Sequence, residues 1–426
     1  MQIVKFPKEG EEYKKIIQRA ISDSSEITER VKIILDTVKK SGDTALKDFS
    51  EKFDKVRIET LQVSTEQIEE ASESVPEELK RAIQMAYQNI RKFHECQKNS
   101  VEIIETTKGV HCWRQNIAIE NVGIYIPGGT APLFSTVLML AIPAQIAGCK
   151  NIILCSPPNV GGKIHEAILY TANLCGVTQI FKVGGAQAVA AMAFGTDSIP
   201  KVDKIFGPGN QYVTIAKQLA NASGVAIDMP AGPSEVLVVG DANANPDFIA
   251  ADLLAQSEHG TDSQSIFVTD SEQKLYEVEK AIQQQVKLLP RKAIVLKALE
   301  NSRLILLNHL DECIDFSNFY APEHLIIQTD NADELAQKVI NAGSVFIGAY
   351  SPESAGDYAS GTNHTLPTHG FATAYSGVSL DSFVKKITFQ KLSKKGLQNI
   401  GSIVETMAKY EHLDAHKNAV SIRLEK

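Results

Sequence analysis

Four short apolar runs decide the fold, and each ends in glycine or proline: "VGIYIPGG" (122–129), "NIILCSPPNVGG" (151–162), "QIFKVGGAQAV" (179–189) and "KIFGPGNQYV" (204–213). Helix-like sequence follows several of them. A repeated order of strand, glycine turn and helix indicates βαβ units and a parallel sheet. Ligands of such sheets bind at the carboxyl ends of the strands, where these glycines fall. The sequence has no GxGxxG, so the turns predict a nucleotide or phosphate site or serve only as tight turns.

A second α/β set begins after "AIDMPAGPSEVLVVGD" (226–241). Within it, "SIFVTD" (265–270) and "SRLILLN" (302–308) have the β-branched, apolar composition of strands, and "DELAQKVINAG" (333–343) predicts a helix that ends at its glycine. The first 120 residues or so, and the chain from Leu380 onward, have charged sequences that predict helices.

Length, charge and cysteine pattern restrict the class of protein. The chain has 426 residues, 43% of them hydrophobic and 22% charged, with a net charge of -8. This length suggests two or more domains, and the acidic balance without a basic stripe argues against nucleic acid as a partner. Six scattered cysteines without a CxxC fit a reducing cytosol. The amino terminus has no apolar signal core, and the most apolar stretch is too short to span a membrane, so we expect a cytoplasmic protein.

Two short motifs carry side chains that suit catalysis. In "DLLAQSEHG" (252–260), Gln256 and His259 are three residues apart and would share one face of a helix that ends at its glycine. Such a pair can hold one metal ion, although a lone histidine is more often an ordinary core or surface residue. In "FYAPEHLII", Glu323 and His324 follow a proline, and at a turn or strand end both could act in one pocket as general acid and base.

Two further stretches contain candidate ligands. The loop-like "SPESAGDYASGTNHTLPTHG" (351–370) contains Asp357 and His364, although ordinary surface loops also look like this. Near the carboxyl terminus, His412 and His416 are four residues apart, which suits a metal pair. Alternatively, the aspartate between them begins a final helix that contains only the second histidine. Together with Gln256 and His259, Asp357 and His416 form a nitrogen and oxygen set suited to zinc, and to manganese or cobalt as well.

Seven blocks in this order and spacing resemble the histidinol dehydrogenase family: "VGIYIPGGTAPLFSTVLML", "FGPGNQYVT", "MPAGPSEVLV", "LLAQSEHGTDSQ", "YAPEHLII", "SPESAGDYASGTNHTLPT" and "AHKNAVSIR". The resemblance extends over essentially the whole chain. It implies a zinc enzyme that completes histidine biosynthesis by oxidising L-histidinol through L-histidinal to L-histidine, with two NAD per substrate. It also implies a homodimer in which terminal segments are exchanged between the subunits.

The resemblance implies the fold as well: two incomplete Rossmann-like domains with parallel sheets, a helical N-terminal extension and a small helical C-terminal domain. We expect the extension at 1–20, a substrate and metal domain at 21–121 with 234–379, and an NAD-binding domain at 122–233. The remaining segment, 380–426, would complete the partner subunit's site.

The same resemblance assigns roles to individual residues. The acid–base pair would be Glu323 and His324. The zinc ligands, which also contact substrate, would be Gln256, His259, Asp357 and His416. Further substrate contacts would come from Ser234, His364 and Glu411, and NAD contacts from Tyr125, Gln187 and Asn210. His412 would then have no role in the site.

Three other functions fit parts of the sequence. A cysteine-based aldehyde dehydrogenase would use Cys112 or Cys149 as its nucleophile. A metal hydrolase would use Glu323 as the base for a water molecule, but it would not need the glycine-turned α/β half. A non-catalytic dinucleotide-binding protein would leave the Glu–His pair without a purpose.

Overall fold

The computed structural model describes residues 1–19, 24–128, 131–230 and 232–425. The strands in these residues, β1 to β14, are Gln2–Lys5, Ile103–Thr107, Val110–Ala118, Asn121–Tyr125, Asn151–Ser156, Gln179–Lys182, Lys204–Phe206, Ala226–Ile227, Glu235–Gly240, Gln264–Thr269, Arg303–Leu306, His324–Gln328, Ser344–Ile347 and Val384–Leu392. The α-helices, α1 to α16, are Glu11–Ile16, Ser24–Phe49, Thr65–Ser74, Glu77–Glu95, Phe134–Ala147, Glu166–Leu174, Gly185–Phe194, Gln211–Ala222, Pro246–Ser257, Glu272–Gln285, Lys292–Glu300, Leu310–Tyr320, Ala332–Ala336, Glu353–Tyr358, Lys394–Tyr410 and Asp414–Leu424.

The four runs that end in glycine or proline form one parallel sheet. Its strand order is β6-β5-β4-β7-β8. Numbered along the chain, this order is 3-2-1-4-5, which is the Rossmann order without its sixth strand. The chain changes direction between β4 and β7, so a crevice opens at the carboxyl ends of these two strands. Helix α5 is apolar on all sides and almost entirely buried against this sheet, which explains its long hydrophobic sequence.

The second sheet repeats this topology. Its order is β1-β11-β10-β9-β12-β13, and all of its strands are parallel. Without β1 at the edge, the order along the chain is again 3-2-1-4-5, with the change of direction between β9 and β12. Strands β9, β10 and β12 are buried at every position, as expected for central strands covered by helices on both faces. The predicted fold class, two incomplete Rossmann-like units with parallel sheets, is therefore confirmed.

The ends of the chain contain strands that we did not predict. The extension contributes β1 to the six-stranded sheet, so it is not only helical. Strands β2, β3 and β14 form a separate antiparallel sheet in the order β14-β3-β2. The predictions that the first 120 residues and the chain after Leu380 are helical were wrong at these strands. The cause is long-range pairing: β14 pairs with β3 along nine positions, and Phe389 stacks on Trp113 at a ring-centroid distance of 5.4 Å.

Of the elements predicted in the second α/β set, the helix differs from the structure and the two strands agree with it. The helix predicted for 333–343 is shorter, because α13 ends at Ala336 and turns continue to Gly343. Residues 265–270 cover all of β10 but its first residue, and 302–308 contain β11, as predicted. No helix within the described residues is long and apolar enough to cross a membrane.

Helices α2 to α4 pack on the helices that cover the five-stranded sheet, whereas α1 packs in the unit of the six-stranded sheet. Helix α2 lies on α7 and α8, α3 on α6, and α4 on α5. Buried residues of α3 and α4, such as Ile68 and Ile90, belong to one apolar cluster with α5 and β4, and those of α2 belong to a second cluster with α7 and α8. The domain boundaries stay a prediction, and these contacts favour grouping α2 to α4 with 122–233 instead of with 234–379.

Candidate active site

The predicted acid–base pair lies at the amino edge of the six-stranded sheet. Glu323 precedes β12, His324 is its first residue, and Glu235 begins the neighbouring strand β9. All three residues are at least 94% buried. Ligands of parallel sheets usually bind at the carboxyl edge, so this group lies at the opposite edge from that rule. The turn after α9 and helix α14 lie at the same edge of the sheet, and they bring the other candidate residues close to the pair.

One backbone unit orients both members of the pair. The Glu235 N–H donates to Glu323 Oε2 at 2.8 Å, and the Glu235 carbonyl oxygen lies 3.2 Å from His324 Nδ1. A carbonyl oxygen only accepts hydrogen bonds, so Nδ1 must carry the proton of the neutral ring. The other nitrogen, Nε2, then carries the lone pair that a general base needs. It is buried and has no hydrogen-bond partner among the described residues.

Three carboxylates surround the His324 ring. Its Nδ1 lies 3.6 Å from Glu323 and 3.8 Å from Glu353, and its Nε2 lies 3.7 Å from Asp357. Burial disfavours the charged ring, but the carboxylates outweigh burial and raise the pKa of His324 well above its usual range. Burial raises the pKa of Glu323 to about 8, even though His324 and the Glu235 N–H favour the charged form.

Asp357 has a different protonation preference from its neighbours. Burial alone would raise its pKa, but the nearby imidazoles of His324, His364 and His259 outweigh burial and lower it. Burial instead raises the pKa of Glu353. At neutral pH the group therefore holds one firmly ionised carboxylate beside two carboxyl groups that burial keeps largely protonated, because no cation compensates their charged form. This is the electrostatic setting in which a bound cation is stabilised.

A candidate metal site adjoins the pair. Ligand atoms of His259, Glu353 and Asp357 all lie within 4.8 Å of one another. His259 and Asp357 were predicted from the sequence, whereas Glu353 was missed. Glu353 and Asp357 are four residues apart in α14 and so share one helix face, a spacing that could have found it.

Gln256, the third predicted ligand from this part of the chain, is fully buried beside the group. With its amide nitrogen toward Glu353, it donates to that carboxylate, and its carbonyl oxygen accepts from the Glu235 N–H at 2.9 Å. In the opposite orientation its oxygen faces the Glu353 carboxylate, an arrangement that requires a proton or a cation between the two groups. Gln256 therefore adjoins the metal group in either orientation.

The local structure around His259 differs from the predicted helix end. Helix α9 stops at Ser257, Glu258 is its cap residue in the right-handed helical region, and Gly260 has no positive φ. His259 thus lies in the turn beyond the helix, where its N–H donates to the Gln256 carbonyl at 3.3 Å. The prediction that the helix ends at Gly260 was wrong, because the helix ends at Ser257 and backbone hydrogen bonds close the turn that follows.

His364 links the two sheets near this site. Its Nδ1 donates to the Asp357 carbonyl at 2.9 Å, and its Nε2 lies 3.1 Å from the Thr136 hydroxyl of α5. Burial lowers the pKa of His364, which agrees with a neutral ring held at both nitrogens. The adjacent Asn363 donates to the Met139 carbonyl, also in α5, at 2.7 Å. The loop therefore joins the α/β unit of the five-stranded sheet to the metal group.

The remaining predicted substrate residues divide into two groups. Ser234 lies directly before β9, beside the acid–base pair, and its carbonyl accepts from the Gln264 N–H at 3.1 Å. Glu411 caps the end of α15 and His416 lies in the first turn of α16, and both are exposed. Within one described chain, His416 does not belong to the metal group. His412 lies outside both helices with a positive φ, which confirms the alternative in which the final helix contains only His416.

The predicted NAD residues meet at the carboxyl edge of the five-stranded sheet. Tyr125 ends β4, and its hydroxyl accepts from the Gly185 N–H at the start of α7 at 3.1 Å. Gln187 is buried in the first turn of the same helix. Asn210 caps α8 by accepting from the N–H groups of Tyr212 and Val213, so its side chain also has a structural role.

The turn after β7 is buried at Gly207, at the same edge of the sheet. Gly207 has a φ of 126°, and a Cβ at this position would overlap the Tyr125 carbonyl oxygen. A buried pair holds the glycine: Asp228 accepts from its N–H at 2.8 Å, and Lys217 donates to its carbonyl at 2.9 Å. A side chain cannot be tolerated here, which explains the glycine and keeps β4 and β7 close at the crevice.

Comparison with known proteins identifies the family. The family model for histidinol dehydrogenase matches residues 17–424. The chain is 56% identical over 425 residues to histidinol dehydrogenase from Bacteroides fragilis, which covers 100% of this chain and 99% of that one. The chain belongs to the histidinol dehydrogenase family. It is also 53% identical over 418 residues to the Escherichia coli histidinol dehydrogenase, covering 97% and 95% of the two chains.

A solved structure gives the same result. The crystal structure of histidinol dehydrogenase from Elizabethkingia anophelis superposes with a TM-score of 0.97 at 57% identity, covering 100% of this chain and 98% of that one. Histidinol dehydrogenases are NAD-dependent oxidoreductases, and this chain oxidises histidinol in the last step of histidine biosynthesis. The alternative functions, namely a hydrolase, a cysteine-based aldehyde dehydrogenase and a non-catalytic binding protein, are thereby excluded.

The positions of the cysteines agree with the exclusion of a cysteine-based aldehyde dehydrogenase. Cys112 lies in β3 of the antiparallel sheet, away from the acid–base pair, and all six cysteines are free. Burial raises the pKa of Cys149 to about 12, so this thiol stays protonated and is a poor nucleophile.

Proposed function

We propose that the enzyme removes both hydrides of a four-electron oxidation, from L-histidinol through L-histidinal to L-histidine, with two NAD at one site. The observation that carries this proposal is the main chain of Glu235, whose N–H and C=O orient a carboxylate and a histidine side by side. Two successive oxidations need a base for the alcohol and a second base for a water molecule at the aldehyde. Adjacent groups of different chemistry can supply both functions in one closed site.

His324 takes the proton of the substrate hydroxyl in the first oxidation. Its Nδ1 is held by the Glu235 carbonyl, so its unpartnered Nε2 is the acceptor. Glu323 activates the water that adds to the aldehyde, because the raised pKa of this buried carboxyl makes its carboxylate a stronger base than an exposed one. Once its first proton has passed to solvent, His324 accepts the proton of the aldehyde hydrate. NAD, when bound, accepts the hydride in each oxidation.

The donor set around His324 fits a divalent metal ion. His259, Asp357 and Gln256 would hold the ion, with Glu353 as an additional oxygen donor or as the group that orients Gln256. Zinc is the metal we propose, since it accepts mixed nitrogen and oxygen ligands, and it would position the imidazole and amine of the substrate. A cation at these carboxylates would also weaken their attraction for the His324 imidazolium and favour the neutral ring that a base needs.

We place NAD in the crevice between β4 and β7, with Tyr125, Gln187 and Asn210 as its contacts. The support is their common position at the carboxyl edge of a sheet with Rossmann order, together with the glycine turn at Gly207 that keeps β4 and β7 close. His364 and Thr136 connect α5, which follows β4, to the metal group, and this connection supports hydride transfer between the two units. Ser234, beside the acid–base pair, would contact the substrate.

The working enzyme is a homodimer in this proposal, and the partner subunit supplies Glu411 and His416. The support is the exposure of both residues in the described chain and the apolar surface on the same segment. Ile403, Met407 and Tyr410 of α15 are 58%, 61% and 79% exposed, which is unusual for large apolar residues of one helix. A partner's site would bury this face and bring His416 to the metal. We also propose a cytoplasmic location, in agreement with six free cysteines.

Glu323→Gln tests the division of roles. We expect this variant to oxidise supplied L-histidinal about a hundredfold more slowly or worse, because a neutral amide cannot accept a proton from water. The rate of the first oxidation, measured as a single-turnover burst of NADH from L-histidinol, should fall much less. Equal losses in the two half-reactions would contradict a separate role for Glu323 in water activation.

A further inference from the structure

Arg19 belongs to the N-terminal extension and contacts Glu235, the residue whose main chain orients the acid–base pair. Its Nε and Nη2 atoms contact Glu235 Oε1 and Oε2 at 2.5 and 3.0 Å, so the ion pair is bidentate. Nη2 also donates to the Tyr320 carbonyl at 2.9 Å, and the guanidinium lies over the Tyr320 ring at 4.3 Å. The arginine is therefore held on three sides, between β9 and the end of α12.

The extension that carries Arg19 is docked independently of this ion pair. Strand β1 pairs with β11, and Tyr13 of α1 packs edge-on against Phe316 of α12 at a ring-centroid distance of 4.9 Å. These contacts hold the segment in place whether or not the arginine is present. The ion pair is therefore not needed to attach the extension, and its geometry calls for another explanation.

The other contacts of Glu235 lead directly to the catalytic pair. Its side chain is 2% exposed and accepts from the His369 N–H at 2.9 Å in addition to Arg19. Its own N–H and C=O orient Glu323 and His324, as described above. One residue thus has its side chain fixed by Arg19 and its backbone fixed to both general bases. Buried ion pairs contribute little net stability because desolvation offsets their attraction, whereas they do fix an orientation.

We propose that Arg19 and Glu235 are positioning residues for the acid–base pair. Arg19 fixes the Glu235 side chain. The main-chain N–H of Glu235 in turn fixes the direction of the Glu323 carboxylate, and its C=O fixes the tautomer of His324. Misplacing a catalytic group by about 1 Å can cost on the order of a hundredfold in rate. This inference rests on the roles proposed for Glu323 and His324.

The test compares Arg19→Met, Glu235→Gln and the double variant R19M/E235Q. Each single variant leaves one buried charge unpaired, so we expect both to lower the melting temperature. The double variant has no unpaired charge and retains the side-chain shapes, so its melting temperature should recover most of the loss. We expect kcat to fall about tenfold to a hundredfold in all three variants, with the KM for NAD unchanged. A double variant that recovers kcat together with its melting temperature would overturn the proposal.

A matched control and the catalytic variants make the result unambiguous. Ser302 is buried before β11 and accepts from the Ser265 N–H at 3.0 Å, two strands away from β9. Ser302→Ala loses a buried hydrogen bond in the same sheet and should lower the melting temperature without lowering kcat. If Glu323→Gln and His324→Asn are active, the proposed roles fail. If these two are inactive and R19M/E235Q is fully active, only the positioning role fails.

Discussion

Replacing His324 with asparagine is expected to lower kcat for histidinol oxidation by a factor of about 10² to 10⁴. The asparagine amide can still donate to the Glu235 carbonyl from the position of Nδ1, so the strand start keeps this hydrogen bond. What is lost is the nitrogen that faces Asp357 at 3.7 Å, the only basic atom of the side chain. Both oxidations should be affected, because the same base acts on the alcohol and on the aldehyde hydrate.

The measurement is steady-state NADH formation with L-histidinol and, separately, with L-histidinal. A suitable control is His309→Asn, because His309 caps α12 with its Nδ1 at 3.2 Å from the Glu312 N–H, and asparagine can also cap a helix. The control should retain the wild-type kcat. A His324→Asn enzyme that keeps its kcat on both substrates would remove His324 from the chemistry.

The second large effect concerns the partner subunit. His416→Ala alone should abolish activity, because the exposed His416 of one chain would serve the site of its partner. We expect a heterodimer of one His416→Ala subunit and one His324→Asn subunit to regain about half of the wild-type activity. One of its two sites would then combine an intact His324 with the intact His416 of the other subunit, while the second site would lack both.

Two affinity tags on co-expressed subunits allow this heterodimer to be purified and assayed per mole of dimer. The two parent homodimers provide the inactive baselines. If each subunit used its own His416, both sites of the heterodimer would carry one lesion, and no activity would return. An inactive heterodimer with intact mass would therefore contradict the exchange of C-terminal segments.

The parallel sheets were predictable from the sequence because their signals are local. The four glycine-terminated runs at 122–213 each form a strand of the five-stranded sheet and the turn after it. Strand β14 gave no such signal, since its partner β3 lies about 270 residues earlier and its three lysines do not alternate with apolar residues along the whole strand. Pairing at such a distance depends on tertiary contacts that no local pattern contains.

Some residues of the candidate site were likewise predictable from the sequence, and others were not. Resemblance to the family brought His259, Asp357 and the Glu–His pair together, and the structure places them in one group. Glu353 was within reach of sequence reasoning through its spacing of four from Asp357. Arg19 was not, since 216 residues separate it from Glu235 and an arginine in a charged extension is ordinarily a surface residue.

The most direct test of the central claim is the amount of NADH formed per L-histidinol consumed, on protein of measured metal content, with and without a chelator. The proposed mechanism predicts two NADH per substrate, loss of activity in the chelator, and recovery when zinc is added. One NADH per substrate, with histidinal as the final product, would contradict the role of Glu323 and the four-electron reaction. Full activity in metal-free protein would contradict the metal site at His259 and Asp357.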